Sequence, residues 1–413
     1  MAKPKGLKDC WIAVCGAARW GYKMSIKGRV AIVGIGETKW YKRGQAPDAE
    51  FKLCVAAIKA AAADAGVDPR EITGFSSYSE DRNTPARLAN ALGVKDFAMS
   101  VMQWGGGGGG CCGAVANAAA GILAGYCDYA VVYRGLAQGQ FGRFGQGAAL
   151  HVVPGDMGYV MPYGMLSPAQ LFVMRITRFM YEHGVNQSAL RAVAMASYHH
   201  AQNNPRAIMY GKPLTEEAYE ASRWITEPLH LYDCCQENDG AAAVLLTTTE
   251  RAVRLAQKPA VLLAAASGGD PRAGEFGASA CNAPDYPTSN FKYVARRAFA
   301  TAGLGPEDVD VLQCYENFTG GVVMSMVEHG FCQPEEVNTF FTLANLKAPS
   351  GRLPLNTSGG NLAEVYMHGL SLITEAVRQL RGTSPNQVPN AKVSMVIGGP
   401  MVNPVSNLIL AAA

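Results

Sequence analysis

The stretch AGVDPREI, Ala65 to Ile72, has an echo in AGLGPEDV, Ala302 to Val309. Each reads as a helix end with a glycine near its C-cap, a proline-containing turn and then a strand. The helix ending at Gly125 before DYAVVYRG resembles, in the same way, the one ending at Gly382, which is followed by the strand VSMVIGG. A chain with such self-similarity is constrained to two copies of one α/β unit. The first copy opens with the β-branched run RVAIVGIGE, an apolar helical pattern over Phe51 to Ala65 and a second strand, ITGFSSYS. That is a βαβ opening. Gly113 to Gly125 reads as a helix of small residues and DYAVVYRG as a buried strand, which predicts a parallel sheet covered by helices on both faces. From Leu136 to Leu231 the pattern shifts to aromatic-rich loops and the amphipathic helix LFVMRITRFMYEHG, an insertion over the sheet. DGAAAVLLTT and AVLLAAASGG then resume the strands. The expected division is an extension over 1–28, a first half over 29–275 containing the insertion 136–231, and a second half over 276–413.

Composition narrows the function. With 413 residues, 49% hydrophobic and 17% charged, the chain can bury a large core. A net charge of +3 and no basic run interleaved with aromatics argue against nucleic acid. The uncharged run from Phe97 to Cys127 is mostly Gly, Ala and Cys, which transfer weakly to lipid, so a buried core helix is expected and no membrane span. Eleven cysteines without a CxxC, and no apolar signal peptide, suggest reduced thiols in a cytoplasm. Met24 directly before SIKGRVAIVGIGE suggests that the first 23 residues are an upstream extension. His199 and His200 face different ways and the other histidines lack partners at ligand spacing, so no metal site is expected in this chain.

Three motifs carry chemistry. The run QWGGGGGGCCGAVANAAAGI, Gln103 to Ile122, lacks the Lys-Ser/Thr of a phosphate loop and the acidic residue of a dinucleotide fold. Its glycines either permit close packing where a strand turns into a helix or offer bare N–H groups to an oxyanion. CYENFTGG, Cys314 to Gly321, follows a buried strand at the end where α/β sheets place their sites, making Tyr315, Glu316 and Asn317 candidates; a capping turn is the plainer reading. NTSGGNLAEVYMHG, Asn356 to Gly369, is a second glycine-marked helix start holding Tyr366 and His368. The repeat sets Tyr366 opposite Gly109, so two helix N-termini are expected to meet near one point, although a buried tyrosine is often only a core aromatic.

Together, RVAIVGIGETKW, LYDCCQENDGAAA, CYENF, NTSGG and VIGGPM, in this order and over nearly the whole chain, resemble the thiolase superfamily. Within it they resemble the thiolase-like lipid-transfer proteins related to the thiolase part of sterol carrier protein X. The resemblance implies the thiolase fold: two pseudo-symmetric α/β halves in a five-layered αβαβα arrangement. Thiolases use a cysteine nucleophile at the first buried helix. Counting back from GYCDYAVV, that position is Gly108. The family's Asn or His in the CYENF motif is Tyr315, its catalytic histidine is Tyr366, and its C-terminal cysteine is absent, with Met395 and Val396 there.

This pattern resembles the steroid side-chain aldolases of the superfamily, which cleave a β-hydroxyacyl-CoA bearing a tertiary alcohol into a ring ketone and propionyl-CoA or a similar short acyl-CoA. The resemblance implies acid–base catalysis by Tyr315 and Tyr366, the phenols being activated by a neighbouring dipole or charge that lowers their pKa; Tyr366 as base and Tyr315 as acid is the favoured assignment, and the sequence leaves the two roles open. Gly108 and Gly109 would hold the enolate through backbone N–H groups, with Asn317, His368 and Gly399 binding substrate. It further implies a homodimer through the first half, and a small zinc-ribbon/OB-fold partner, hence a heterotetramer with any zinc in the partner. Phe141, Phe144, Tyr159 and Tyr163 of the insertion would line a flat apolar substrate or contact the partner. Two rivals stay open: a thiolase using Cys111 or Cys112, and a non-catalytic acyl-CoA- or lipid-binding subunit.

Overall fold

The computed structural model describes residues 25–79, 81–141, 152–153, 155–271 and 285–413. The expected extension up to residue 24, and Phe144, lie outside the described residues. In the first half β1 (Val30–Glu37) leads through the short β2 (Tyr41–Lys42) to α1 (Glu50–Ala65) and β3 (Gly74–Tyr78). Then come α2 (Pro85–Leu92), β4 (Met99–Gln103), α3 (Cys111–Leu123) and β5 (Ala130–Ala137). The insertion carries α4 (Pro168–His183), α5 (Gln187–Ala201) and the hairpin β6 (Trp224–Thr226) and β7 (Leu229–His230) before β8 (Asn238–Thr248). The rest comprises β9 (Ala260–Gly268), α6 (Lys292–Ala302), β10 (Val311–Cys314), α7 (Thr319–Glu328), α8 (Leu370–Arg381), β11 (Val393–Gly398) and β12 (Val405–Ala412).

The repeat is real in space. Gly66 and Gly303 both close their helices in the left-handed region, at φ 70° and 66°, and each is followed by a short 3₁₀ turn opening on proline and then by β3 or β10. Strands run in the order β10-β11-β12-β9-β1-β8-β5-β3-β4, and β1 meets β9 only through Ala31–Val261 and Ile32–Ala260. Outward from that seam the two halves match: β1 and β9 pair antiparallel with β8 and β12, these pair antiparallel with β5 and β11, and parallel strands follow. The expected all-parallel sheet is therefore mixed, because one reversed strand in each half is wedged between strands of the opposite direction.

Helices α3 and α8 pack between the two halves of the sheet, while α1 and α6 cover the outer faces. This is the five-layered αβαβα order. Cys111 to Val115 and Ala118 of α3 are fully buried, and their small side chains let the helix fit between two sheet faces. Among the described residues no helix is long and apolar enough to cross a membrane.

Charged side chains pin α8 across the seam. Arg378 grips Glu37 at the end of β1 through Nη1 at 3.1 Å and Nη2 at 2.5 Å. Burial raises the cost of the Glu37 charge, yet Arg378 and Arg206 hold its pKa below the usual carboxylate value. One turn on, Arg381 reaches Asp64 of α1 at 2.7 Å and the Val33 carbonyl at 2.8 Å. Replacing Arg378 with methionine strands a buried carboxylate, so Arg378→Met is expected to lose about 3–5 kcal/mol in denaturant unfolding at neutral pH. Glu37→Gln/Arg378→Met together should recover part of it.

Candidate active site

Tyr315 stands one residue past β10, its N–H donating to the Ile397 carbonyl of β11 at 2.8 Å. Asn356, from the NTSGG motif, clamps the same strand end: its Oδ1 accepts from the Cys314 N–H at 2.7 Å and its Nδ2 donates to the Cys314 carbonyl at 2.8 Å. Two motifs distant in sequence are thereby fixed to each other. After Asn356 the chain does not enter the buried helix, as the glycine pair predicted. Gly359 and Gly360 have positive φ and lead into a single π-helical turn, Gly360–Glu364, and α8 starts only after His368 and Gly369, both also at positive φ. Tyr366 lies in this break, held by its N–H donating to Asn238 Oδ1 of β8 at 2.9 Å.

The two phenols meet. Tyr315 Oη donates to Tyr366 Oη at 2.7 Å, with the rings edge to face and their centroids 6.0 Å apart. His368 completes the group, its ring 5.2 Å from that of Tyr366 and its carbonyl accepting from the Tyr78 hydroxyl at 3.0 Å. Gly108 sits beneath: a Cβ built there would land inside the Tyr315 ring. Any side chain at position 108 would thus collide with the phenol.

Other expected site residues fare differently. The Gly109 N–H donates to the Gly106 carbonyl at 2.6 Å, which removes it from the expected pair of oxyanion donors. Gly399 is packed on the Gly109 backbone, with no room for a Cβ, and neither residue is in the cavity wall. Cys111 and Cys112 are fully buried with their sulfurs 3.7 Å apart, outside that wall; burial pushes the Cys112 thiol far up. Asn317 does line the cavity, although its Oδ1 accepts from the Phe318 N–H at 2.9 Å. Among the described residues no cluster of three or more His, Cys, Asp or Glu is arranged to hold a metal.

The cavity measures about 1110 Å³. At its base are Gly108, Tyr315, Tyr366 and His368; apolar walls come from Leu136, Phe172, Ile208, Ile225, Leu231 and Phe318; and Lys42, Arg43, Arg82, Arg134 and Arg223 supply positive charge. The insertion does contribute a wall, but through residues the sequence did not single out. Tyr159 and Tyr163 are strongly exposed and lie outside it, as does Phe141.

Electrostatics corrects another expectation. Burial first, and the Tyr366 charge second, raise Tyr315 well above the ordinary value for tyrosine. Tyr366 is raised by burial and by Cys235, with the Tyr315 hydrogen bond and the Arg134 charge pulling back part of the shift. The phenols are thus not made acidic; desolvation outweighs the activating groups. Of the two, Tyr366 is the one whose anion receives a hydrogen bond. His368 is held neutral, its pKa pushed far below the usual imidazole value by burial and then by Arg134 and Arg82.

A family model, thiolase C-terminal domain-like, matches residues 277–411. The 17-hydroxy-3-oxo-4-pregnene-20-carboxyl-CoA lyase of Mycobacterium tuberculosis is 37% identical over 392 residues, 93% of this chain and 100% of its own length. The steroid side-chain-cleaving aldolase of Thermomonospora curvata is 35% identical over 400 residues, 94% of this chain and 99% of its own. The chain belongs to the steroid side-chain-cleaving aldolases of the thiolase superfamily. A solved Ltp2-ChsH2(DUF35) aldolase superimposes with TM-score 0.86 at 34% identity, covering 94% of this chain and 99% of that one.

The aldolase is a carbon–carbon lyase whose reaction is retro-aldol cleavage. Its sequence reading missed Arg134, an arginine inside the otherwise apolar buried strand YAVVYRG, where a charge is itself a signal. It also missed Cys235, at the cavity wall in the segment that returns from the insertion. Because Gly108 and Tyr315 compete for one volume, Gly108→Ala is expected to destabilise the aldolase by about 1–3 kcal/mol in denaturant unfolding. Measured in a Tyr315→Ala background, which carries its own cavity cost, the added effect of Gly108→Ala should largely vanish.

Proposed function

We propose that this aldolase cleaves a β-hydroxyacyl-CoA whose tertiary hydroxyl sits on a steroid ring, giving a ring ketone and a short acyl-CoA such as propionyl-CoA. The observation that carries the mechanism is the 2.7 Å hydrogen bond between Tyr315 and Tyr366 above a glycine that leaves no nucleophile. The Tyr366 phenolate takes the proton of the tertiary hydroxyl. The ring–carbon bond breaks, its electron pair passing into the thioester enolate while the ring oxygen becomes a ketone. The Tyr315 hydroxyl protonates the α-carbon, and the proton on Tyr366 then crosses to Tyr315, returning both groups to their starting state. Asymmetry in the pair supports these roles, since Tyr315 donates to Tyr366.

The cavity supports the substrate class. Its aliphatic and phenylalanine walls suit a flat apolar ring, and Lys42, Arg43, Arg82 and Arg223 suit the phosphates of CoA. Gly108 in the wall supports a backbone contact to the substrate, with Asn317 and His368 beside it. The Ltp2-ChsH2(DUF35) aldolase has a second component, ChsH2, by name, which supports a partner for this chain. In the reading proposed, that partner is a small zinc-ribbon/OB-fold protein that carries any zinc, in a cytoplasmic heterotetramer. Strand β4 supports a homodimer, because it is the outermost strand of the first half, and Met102 within it and Trp104 just after it are exposed.

Incubation with such a β-hydroxyacyl-CoA, alone and with the partner, is expected to release ketone. Tyr366→Phe and Tyr315→Phe should each bind acyl-CoA yet lose at least about 1000-fold in kcat. Retained turnover in both would favour a non-catalytic subunit. The base acts as an anion and burial raises its pKa, so its ionised fraction grows with pH; kcat/KM should rise steadily between about pH 7 and pH 9 and show no plateau at neutrality. Met102→Lys/Trp104→Lys should shift the sedimentation coefficient toward the monomer.

A further inference from the structure

We infer that Arg134 is a catalytic residue of this aldolase, its Nη2 being the hydrogen-bond donor that receives the negative charge developing on the thioester oxygen of the substrate. The inference rests on the aldolase reading above. It begins from an anomaly: an arginine in the middle of β5, with only 6% of its side chain exposed, in a strand whose other residues are buried. That small exposed part belongs to the cavity wall, which Arg134 shares with Gly108, Tyr315, Tyr366 and His368.

The bonding of the guanidinium is lopsided. Nη1 donates to the Tyr78 carbonyl at 2.8 Å, to the Ser79 carbonyl at 3.1 Å and to Asp81 Oδ2 at 3.2 Å. Nε is buried without an acceptor, and among the described residues no acceptor meets Nη2 either, although it is not sealed from solvent. Nη1 is thus anchored in the protein, while Nη2 is left with an unused donor on a residue that lines the cavity. Among the described residues Asp81 is the carboxylate paired with it, and that carboxylate also accepts the N–H and Nδ2 of Asn83. Tyr78 ties the group to the phenols: the guanidinium carbon lies 5.5 Å from its ring centroid, and its hydroxyl holds the carbonyl of His368. A fixed, desolvated cation with an unused donor is what an enolate requires, and the loss of the Gly109 N–H to Gly106 leaves that task open.

The decisive measurement removes carbon–carbon cleavage from the problem. In D2O, with propionyl-CoA as the probe, the aldolase with its partner should exchange the α-hydrogens: the α C–H bond breaks, the proton goes to a phenolate of the tyrosine pair, the electron pair enters the enolate, and a deuteron returns. Arg134→Gln is expected to slow exchange, followed by mass spectrometry, by about 100-fold or more at unchanged propionyl-CoA affinity. Added guanidinium at millimolar concentration should restore part of it. Arg134→Lys should lose about tenfold, since one ammonium anchored on Tyr78 and Asp81 cannot also reach the cavity. The lysine variant decides alone if the glutamine variant fails to fold. Wild-type exchange rates in either folded variant overturn the role of Arg134 while leaving the aldolase reading intact. Absence of both exchange and cleavage in the wild-type complex overturns that reading, and this one with it.

Discussion

Everything at this site depends on one excluded volume. Gly108 and the Tyr315 ring share a space that holds either a side chain on the first buried helix's lead-in or a phenol from the second half, never both. With the glycine present, the Tyr315 hydroxyl reaches Tyr366, and two phenols lie within proton-transfer distance. The rest of the local structure serves that contact. Asn356 fixes the end of β10, Asn238 holds the Tyr366 backbone, and a π-helical turn followed by His368 and Gly369 at positive φ delays α8 until Tyr366 has been placed.

Burial sets the electrostatic cost of this contact. Both phenols are desolvated, which raises their pKa values, and the donated hydrogen bond from Tyr315 and the nearby Arg134 offset only part of the rise for Tyr366. Such a site is poor at holding a phenolate at rest and well suited to sharing one between neighbours, because each oxygen is the other's solvent.

Much of this was legible in the sequence, for identifiable reasons. The repeat was visible because helix ends impose a chemical signature: Gly66 and Gly303 must take left-handed φ, and the prolines after them begin matching turns. Tyr315 and Tyr366 stood out because they occupy motif positions where the thiolase pattern has other residues. What stayed hidden was set by contacts distant in sequence. Nothing in GGGGGG says that the Gly109 N–H is turned inward to Gly106, and nothing in the exposed aromatics Tyr159 and Tyr163 says that Leu136, Phe172 and Ile208 form the wall instead. The reversed strands β8 and β12 were missed because an apolar run carries no sign of direction. Cys111 and Cys112 looked reactive as letters; in three dimensions they are packing for a helix squeezed between two sheets.

The overlap at Gly108 constrains what can be substituted there. A side chain at 108 and the Tyr315 ring cannot occupy this place together, so a cysteine introduced at 108 would meet the ring in its path. The order of change matters: a side chain at 108 must be lost before the phenol arrives, and the reverse order meets the clash. The contact acts as a ratchet: with the phenol in place, a side chain at 108 has no room.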